Sequence, residues 1–276
     1  MRSGIALVVS TAALVVLLTA SGSRATPRPT PLYPNAVAFS DATHGALGTG
    51  YPYGGNPGGT IQLTSDGGRT WRIALRTPRP VVKLAVEGRD WYAQFDDGET
   101  LRSSDAGTHW APTTDSVWPA GVSSCPIGLI AGTHATPGDW TWSVCTTSGG
   151  AGAEGKAVYR QRQRVACTNF ADLGLCGRHS YGGISAEGYP VGIAGNASGV
   201  GVIWESRGTL YVTSDGGRHW RGLAHLVRFD VDYGSWATVL PRGGVGFALI
   251  RHAAVTTRLL ETTDAGRTWR VVHRWS

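Results

Sequence analysis

The sequence predicts an all-β repeat fold, and three observations predict it. An eight-residue pattern recurs four times, glycine and proline are abundant, and apolar–polar alternation of short period runs along the chain without a sustained helical period. The pattern reads Thr64-Ser65-Asp66-Gly67-Gly68-Arg69-Thr70-Trp71, then Ser103-Ser104-Asp105-Ala106-Gly107-Thr108-His109-Trp110. It returns as Thr213-Ser214-Asp215-Gly216-Gly217-Arg218-His219-Trp220 and as Thr262-Thr263-Asp264-Ala265-Gly266-Arg267-Thr268-Trp269. Forty glycines and fourteen prolines in 276 residues argue further against helices.

Each repeat has the chemistry of a tight turn between strands. An Asp carboxylate accepts backbone N–H groups a few residues on, and Gly tolerates the positive φ such a turn needs. The leading Ser or Thr closes one strand, and the Trp opens the next and covers the turn. The flanking segments fit: Thr60-Ile61-Gln62-Leu63 precedes the first repeat and Arg72-Ile73-Ala74-Leu75 follows it. Asp66, Asp105, Asp215 and Asp264, with Gly68, Gly107, Gly217 and Gly266 and with Trp71, Trp110, Trp220 and Trp269, are therefore expected to build turns and not to catalyse.

These four copies resemble the Asp-box, and the chain is similar to the Asp-box (BNR) β-propeller proteins, among them sialidases, sortilin-type receptor domains and photosystem II assembly factors. The resemblance implies a propeller of four-stranded blades with the boxes between outer strands. Blade length near 40–50 residues then allows a count. Successive box Asp residues are 39, 110 and 49 residues apart, so the long gap hides a unit without a box. Five units are expected: Asn35 to about Thr77, Pro78 to about Thr114, a boxless Asp115 to about Arg178, His179 to about Ala224, and His225 to the end. A sixth unit inside residues 115–190 is the alternative. The chain starts on an inner strand and ends on an outer one, so no exchanged strand is expected to close the ring.

Ahead of these units, Met1 to Ala25 reads as a secretory signal: Arg2, an apolar run from Ile5 to Leu18, and small residues at Ser23-Arg24-Ala25. The run is short for a membrane span, and membrane contact is expected only if the segment stays uncleaved. Residues 26–34 form a proline-rich linker, and 35–276 the propeller. The composition points to bacterial-type export into the envelope or medium. Four cysteines, Cys125, Cys145, Cys167 and Cys176, all fall in the boxless unit. Three pairings are possible; Cys125–Cys145 and Cys167–Cys176 are favoured, and the absence of paired metal-ligand spacing leaves no metal or other cofactor expected.

The chain holds 23 Arg and two Lys, Lys83 and Lys156, for a net charge of +6. A basic exported protein can associate loosely with anionic envelope polymers or headgroups, or the charge is simply a solvated surface of mild positive sign. The partner expected is a protein or an anionic envelope polymer, and no motif points to nucleic acid. Arg160, Arg162 and Arg164 alternate with glutamines and would share one face of a strand, either as a binding row or as a charged edge that resists aggregation. The sialidases suggested by the resemblance clamp a carboxylate with three arginines beside a Tyr–Glu pair. Here the Arg-Ile-Pro signature is missing, and Glu187 and Tyr189 have no arginine cluster assigned to them. The sequence thus favours a monomeric, non-catalytic binding or assembly module, with a sialidase-like exo-glycosidase as the alternative.

Overall fold

The structure is a computed structural model and describes residues 33–50, 58–115, 129–136, 139–147, 149–150, 152–170, 175–206, 209–223, 236–239, 244–252 and 256–275, with backbone alone for 129–141, 191, 236–239, 251–252 and 256. Described strands fall into five sheets. Sheet 1 holds β1 (Pro34–Phe39), β2 (Gly45–Gly50), β3 (Gly59–Thr64) and β4 (Arg72–Thr77). Sheet 2 holds β5 (Val81–Glu87), β6 (Asp90–Phe95), β7 (Thr100–Ser103) and β8 (Ala111–Thr113). Sheet 3 holds β9 (Leu129–Thr136), β10 (Asp139–Thr146), β11 (Lys156–Arg160) and β12 (Gln163–Thr168). Sheet 4 holds β13 (Pro190–Gly195), β14 (Gly201–Glu205), β15 (Leu210–Thr213) and β16 (Arg221–Leu223). Sheet 5 holds β17 (Trp236–Val239), β18 (Gly246–His252), β19 (Thr256–Thr262) and β20 (Arg270–Trp275).

Every sheet pairs its four strands antiparallel in chain order, so none borrows a strand from elsewhere. The first strands touch in cyclic order: β1 against β5, β5 against β9, β9 against β13, β13 against β17, and β17 against β1. Sheets radiating from a ring of first strands make a β-propeller. Antiparallel order sends the β1–β2 and β3–β4 connections out of one end of each sheet. Gly67 N accordingly donates to Thr43 O at 2.9 Å. Connections between second and third strands, and between sheets, leave at the other end.

Alternation places apolar side chains on both faces of each blade, and the seams between blades are the core. Val37, Phe39 and Leu47 meet Phe247, Leu249 and Leu259 between sheets 1 and 5. Ala46, Ile61 and Leu63 meet Trp91, Ala93 and Phe95 between sheets 1 and 2. Trp142, Val144 and Val158 meet Ile193, Ile203 and Tyr211 between sheets 3 and 4, and Val202, Trp204 and Leu210 meet Ala248, Ile250 and Leu260 between sheets 4 and 5. The other face of sheet 3 carries a cluster of Cys145, Ala157, Cys167 and Cys176.

One expectation is corrected here. Arg160, Arg162 and Arg164 do not line one strand: Arg160 ends β11, Gln161 and Arg162 form the turn, and Arg164 lies in β12, with Arg160 opposite Gln163. Gln161 and Arg162 both have positive φ, 48° and 66°, as a two-residue hairpin turn of primed type requires. Polar residues without Gly or Asn gave no turn signal, so alternation alone suggested a continuous strand.

Candidate functional site

The repeat turns use their acids completely. Asp66 Oδ1 accepts from the Thr64 hydroxyl at 2.8 Å and from the Arg69 and Thr70 amides at 2.9 Å each, and Oδ2 accepts from the Thr70 hydroxyl at 2.6 Å. Asp105, Asp215 and Asp264 repeat the arrangement, with His109 and His219 Nδ1 taking the place of the threonine hydroxyl at 2.6 and 2.7 Å. The Thr70 hydroxyl, then the Thr70 amide, holds the Asp66 carboxyl well below its ordinary value, and the His109 amide leads the same effect on Asp105. Burial opposes the trend at Asp215 and Asp264, and hydrogen bonds from His219 and Thr268 outweigh it.

The turn glycines join neighbouring blades. A Cβ on Gly68 (φ 84°) would lie 2.3 Å from Leu259 Cδ2 of sheet 5, and one on Gly107 2.8 Å from Leu63 Cδ2 of sheet 1. Gly217 meets Val165 and Trp142 of sheet 3, and Gly266 meets Val212 and Val202 of sheet 4. Each repeat turn therefore rests on the preceding blade. Trp71, Trp110 and Trp269 lock their turns by donating Nε1–H to the Gly68, Gly107 and Gly266 carbonyls at 2.9–3.0 Å. Trp220 differs: its buried Nε1 has no acceptor, and its ring stands edge-on to Trp142 at 5.8 Å.

A second polar centre, which sequence reasoning missed, lies at the opposite end of the seam between sheets 3 and 4. Lys156 and Glu205 have side chains only 2% exposed, with Nζ to Oε1 at 2.7 Å. The ammonium also donates to Ser185 O at 2.8 Å and Glu187 O at 2.7 Å, so all three of its protons have acceptors. Burial pushes the Glu205 carboxyl up to about 7, against the pull of Lys156, and burial lowers Lys156 against the pull of Glu205. Glu154, also buried, is raised by desolvation beside them. The available signal was one of only two lysines, kept at the start of an alternating strand in a chain that uses arginine at its other basic positions. Buried, with all three ammonium protons taken, the pair ties the two blades together.

The other candidates disperse. Arg160 Nη2 donates to Ala197 O, and its guanidinium lies over Trp142 at 5.7 Å from the ring centroid. Arg164 donates to the Tyr181 hydroxyl at 2.8 Å and to Leu175 O at 2.7 Å, and Arg162 is exposed on the turn. Cys167–Cys176 is a disulfide with 2.06 Å between sulfurs; Cys145 is disulfide-bonded, and Cys125 lies outside the described residues. The Tyr189 hydroxyl accepts from Gly152 N at 3.0 Å, and among the described residues no guanidinium bonds Tyr189 or the Glu187 carboxylate. His44 Nδ1 meets Asp41 Oδ2 at 2.8 Å within the β1–β2 turn. The signal-like segment lies outside the described residues.

Several arginines remain open to solvent. Arg72 and Arg76 on β4, Arg221 on β16 and Arg274 on β20 are exposed on outermost strands. None of the four has an acidic partner among the described residues, whereas Arg79 pairs with Asp97 and Glu99, Arg102 with Asp90 and Asp115, and Arg270 with Glu261.

No family model matches the chain, and no curated protein matches it. Among solved structures it is similar to YCF48 bound to D1 peptide, at 17% identity over 88% of this chain and 82% of that one, with a TM-score of 0.42. It is similar to YCF48 from Cyanidioschyzon merolae at 15% identity, 89% and 72% coverage and a TM-score of 0.34. A GH74 xyloglucanase from Xanthomonas campestris follows at 18% identity and a TM-score of 0.34, with 86% of this chain spanning 38% of that one. The propeller architecture itself stands on the strand pairing and the ring of first strands.

Proposed function

We propose that the chain is an exported, non-catalytic propeller that binds an acidic partner, a protein or an envelope polymer. The observation that carries the reading is the unequal use of charge. Most described acids are engaged in turns, in a sealed clamp or in pairs with arginine, exposed Asp96 and Glu187 being exceptions, while Arg72, Arg76, Arg221 and Arg274 on the outer strands of three blades face solvent with no acidic partner among the described residues. Guanidinium groups in that state favour carboxylate or phosphate partners. The Cys167–Cys176 disulfide supports an oxidising compartment. The protein acts as a monomer without cofactor, and nucleic acid is not its partner.

The test is titration of the purified chain with long-chain polyphosphate and with polyglutamate at stepped ionic strength, beside a fluorogenic sialoside assay. The reading expects binding to at least one polymer that weakens as salt rises, and no turnover. Binding to neither polymer at low salt, or sialoside hydrolysis, would contradict it.

A further inference from the structure

Arg258 and Arg274 sit directly opposite each other on β19 and β20. Like charges in a cross-strand pair repel, so this pairing works against the sheet unless something negative lies across it. Ile250 is opposite Arg258 on β18 and belongs to the seam with Trp204, Leu210 and Leu260. The two guanidinium groups therefore project from the face of sheet 5 that meets sheet 4, near the end of the blade away from the repeat turn.

The state of Arg258 makes the pair unusual. Its Nε is buried and has no acceptor. Arg102 and Arg160 also leave a buried Nε unpaired, but their terminal nitrogens reach Asp90, Asp115 and Ala197 O. Among the described residues the Arg258 side chain has no hydrogen-bond or ion-pair partner, and neither does that of Arg274, which is exposed. A guanidinium whose Nε has shed water without gaining an acceptor is costly, and an oxyanion beside the pair would relieve the repulsion and bring acceptors to the fork.

We propose that Arg258 and Arg274 form a phosphate-binding site on the rim of sheet 5. This rests on the acidic-partner reading and deepens it. A carboxylate offers two oxygens and one charge, which a single guanidinium fork can satisfy. A phosphate group offers at least three acceptor oxygens and up to two charges, enough for two forks side by side. A phosphate-bearing partner docks here by that group.

Calorimetric titration of the full chain with inorganic phosphate and, separately, with acetate tests the site. The wild type is expected to bind phosphate and to bind acetate at least tenfold more weakly. Arg274→Gln, at an exposed position, and Arg258→Gln are each expected to weaken phosphate at least tenfold, while Arg218→Gln, in the exposed turn of sheet 4, leaves it unchanged. Without ligand, Arg274→Gln is expected to melt no lower than the wild type, because it removes a repulsion. Equal phosphate binding by wild type and both rim variants, no phosphate binding at millimolar concentration, or equal binding of acetate would each overturn the assignment. If phosphate fails here while polyphosphate or polyglutamate still binds, this site falls and the broader reading stands; if neither polymer binds, the broader reading falls with it.

Discussion

At the scale of single residues, Lys156 and Glu205 show how burial decides charge. A buried pair resists loss of either member, because the survivor is left desolvated and unpaired; Lys156→Met is expected to cost about 3–5 kcal/mol in chemical unfolding. Glu205 also makes stability depend on pH. Its folded value, near 7, lies above its ordinary 4.5, so its contribution is complete below 4.5 and is lost as pH rises through about 7. Glu205→Gln is expected to flatten the wild-type decline between those values, a slope of at most about 1.4 kcal/mol per pH unit for one proton. An unchanged slope would show that Glu205 titrates normally. The repeat-turn acids act in the opposite sense: lowered below 3.8, they add stability above that value and lose it as pH falls.

At the scale of elements, two turns of different legibility can be compared. The four repeat turns were readable because Asp, Gly and Trp at fixed spacing leave few other backbones available. The β11–β12 turn was not, since Gln161 and Arg162 adopt positive φ only because the paired strands force it. Replacing them with Asn-Gly, the pair this turn type prefers, is expected to stabilise the protein by about 0.5–1 kcal/mol. A loss in urea unfolding would contradict the turn assignment. The disulfide is the other local device: Cys167 and Cys176 close a short loop, and replacing both with Ser is expected to cost about 2–3 kcal/mol by the loop-entropy argument. Cys167 belongs to the face of sheet 3 away from sheet 4. Crosslinking thus falls on the one sheet that has no repeat turn to lay against its predecessor.

For the whole molecule, repeat spacing and alternation were enough to anticipate all-β sheets of four strands. They could not anticipate which polar groups would be sealed. Lys156 and Glu205 are 49 residues apart and meet only because sheets 3 and 4 become neighbours. Arg258 and Arg274 likewise become a pair through strand register, and nothing in their local sequence marks them. The resulting division of labour has two sides. The turn end holds blades together through Gly68, Gly107, Gly217 and Gly266, and the outer strands expose Arg72, Arg76, Arg221 and Arg274, where the proposed partner would bind.

That division is tested most directly by carrying Asp66→Ala and Arg274→Gln through the same two assays, thermal unfolding and titration with polyphosphate. Asp66→Ala removes the acceptor of two backbone amides and two hydroxyls. It is expected to cost about 1–2 kcal/mol, a fall of about 2–8 °C in Tm for a domain of this size, with polymer affinity unchanged. Arg274→Gln is expected to leave Tm in place and weaken the polymer. If Asp66→Ala abolished binding in a fully folded protein, or Arg274→Gln unfolded the chain while its folded fraction bound normally, scaffold and binding surface would have been assigned to the wrong residues.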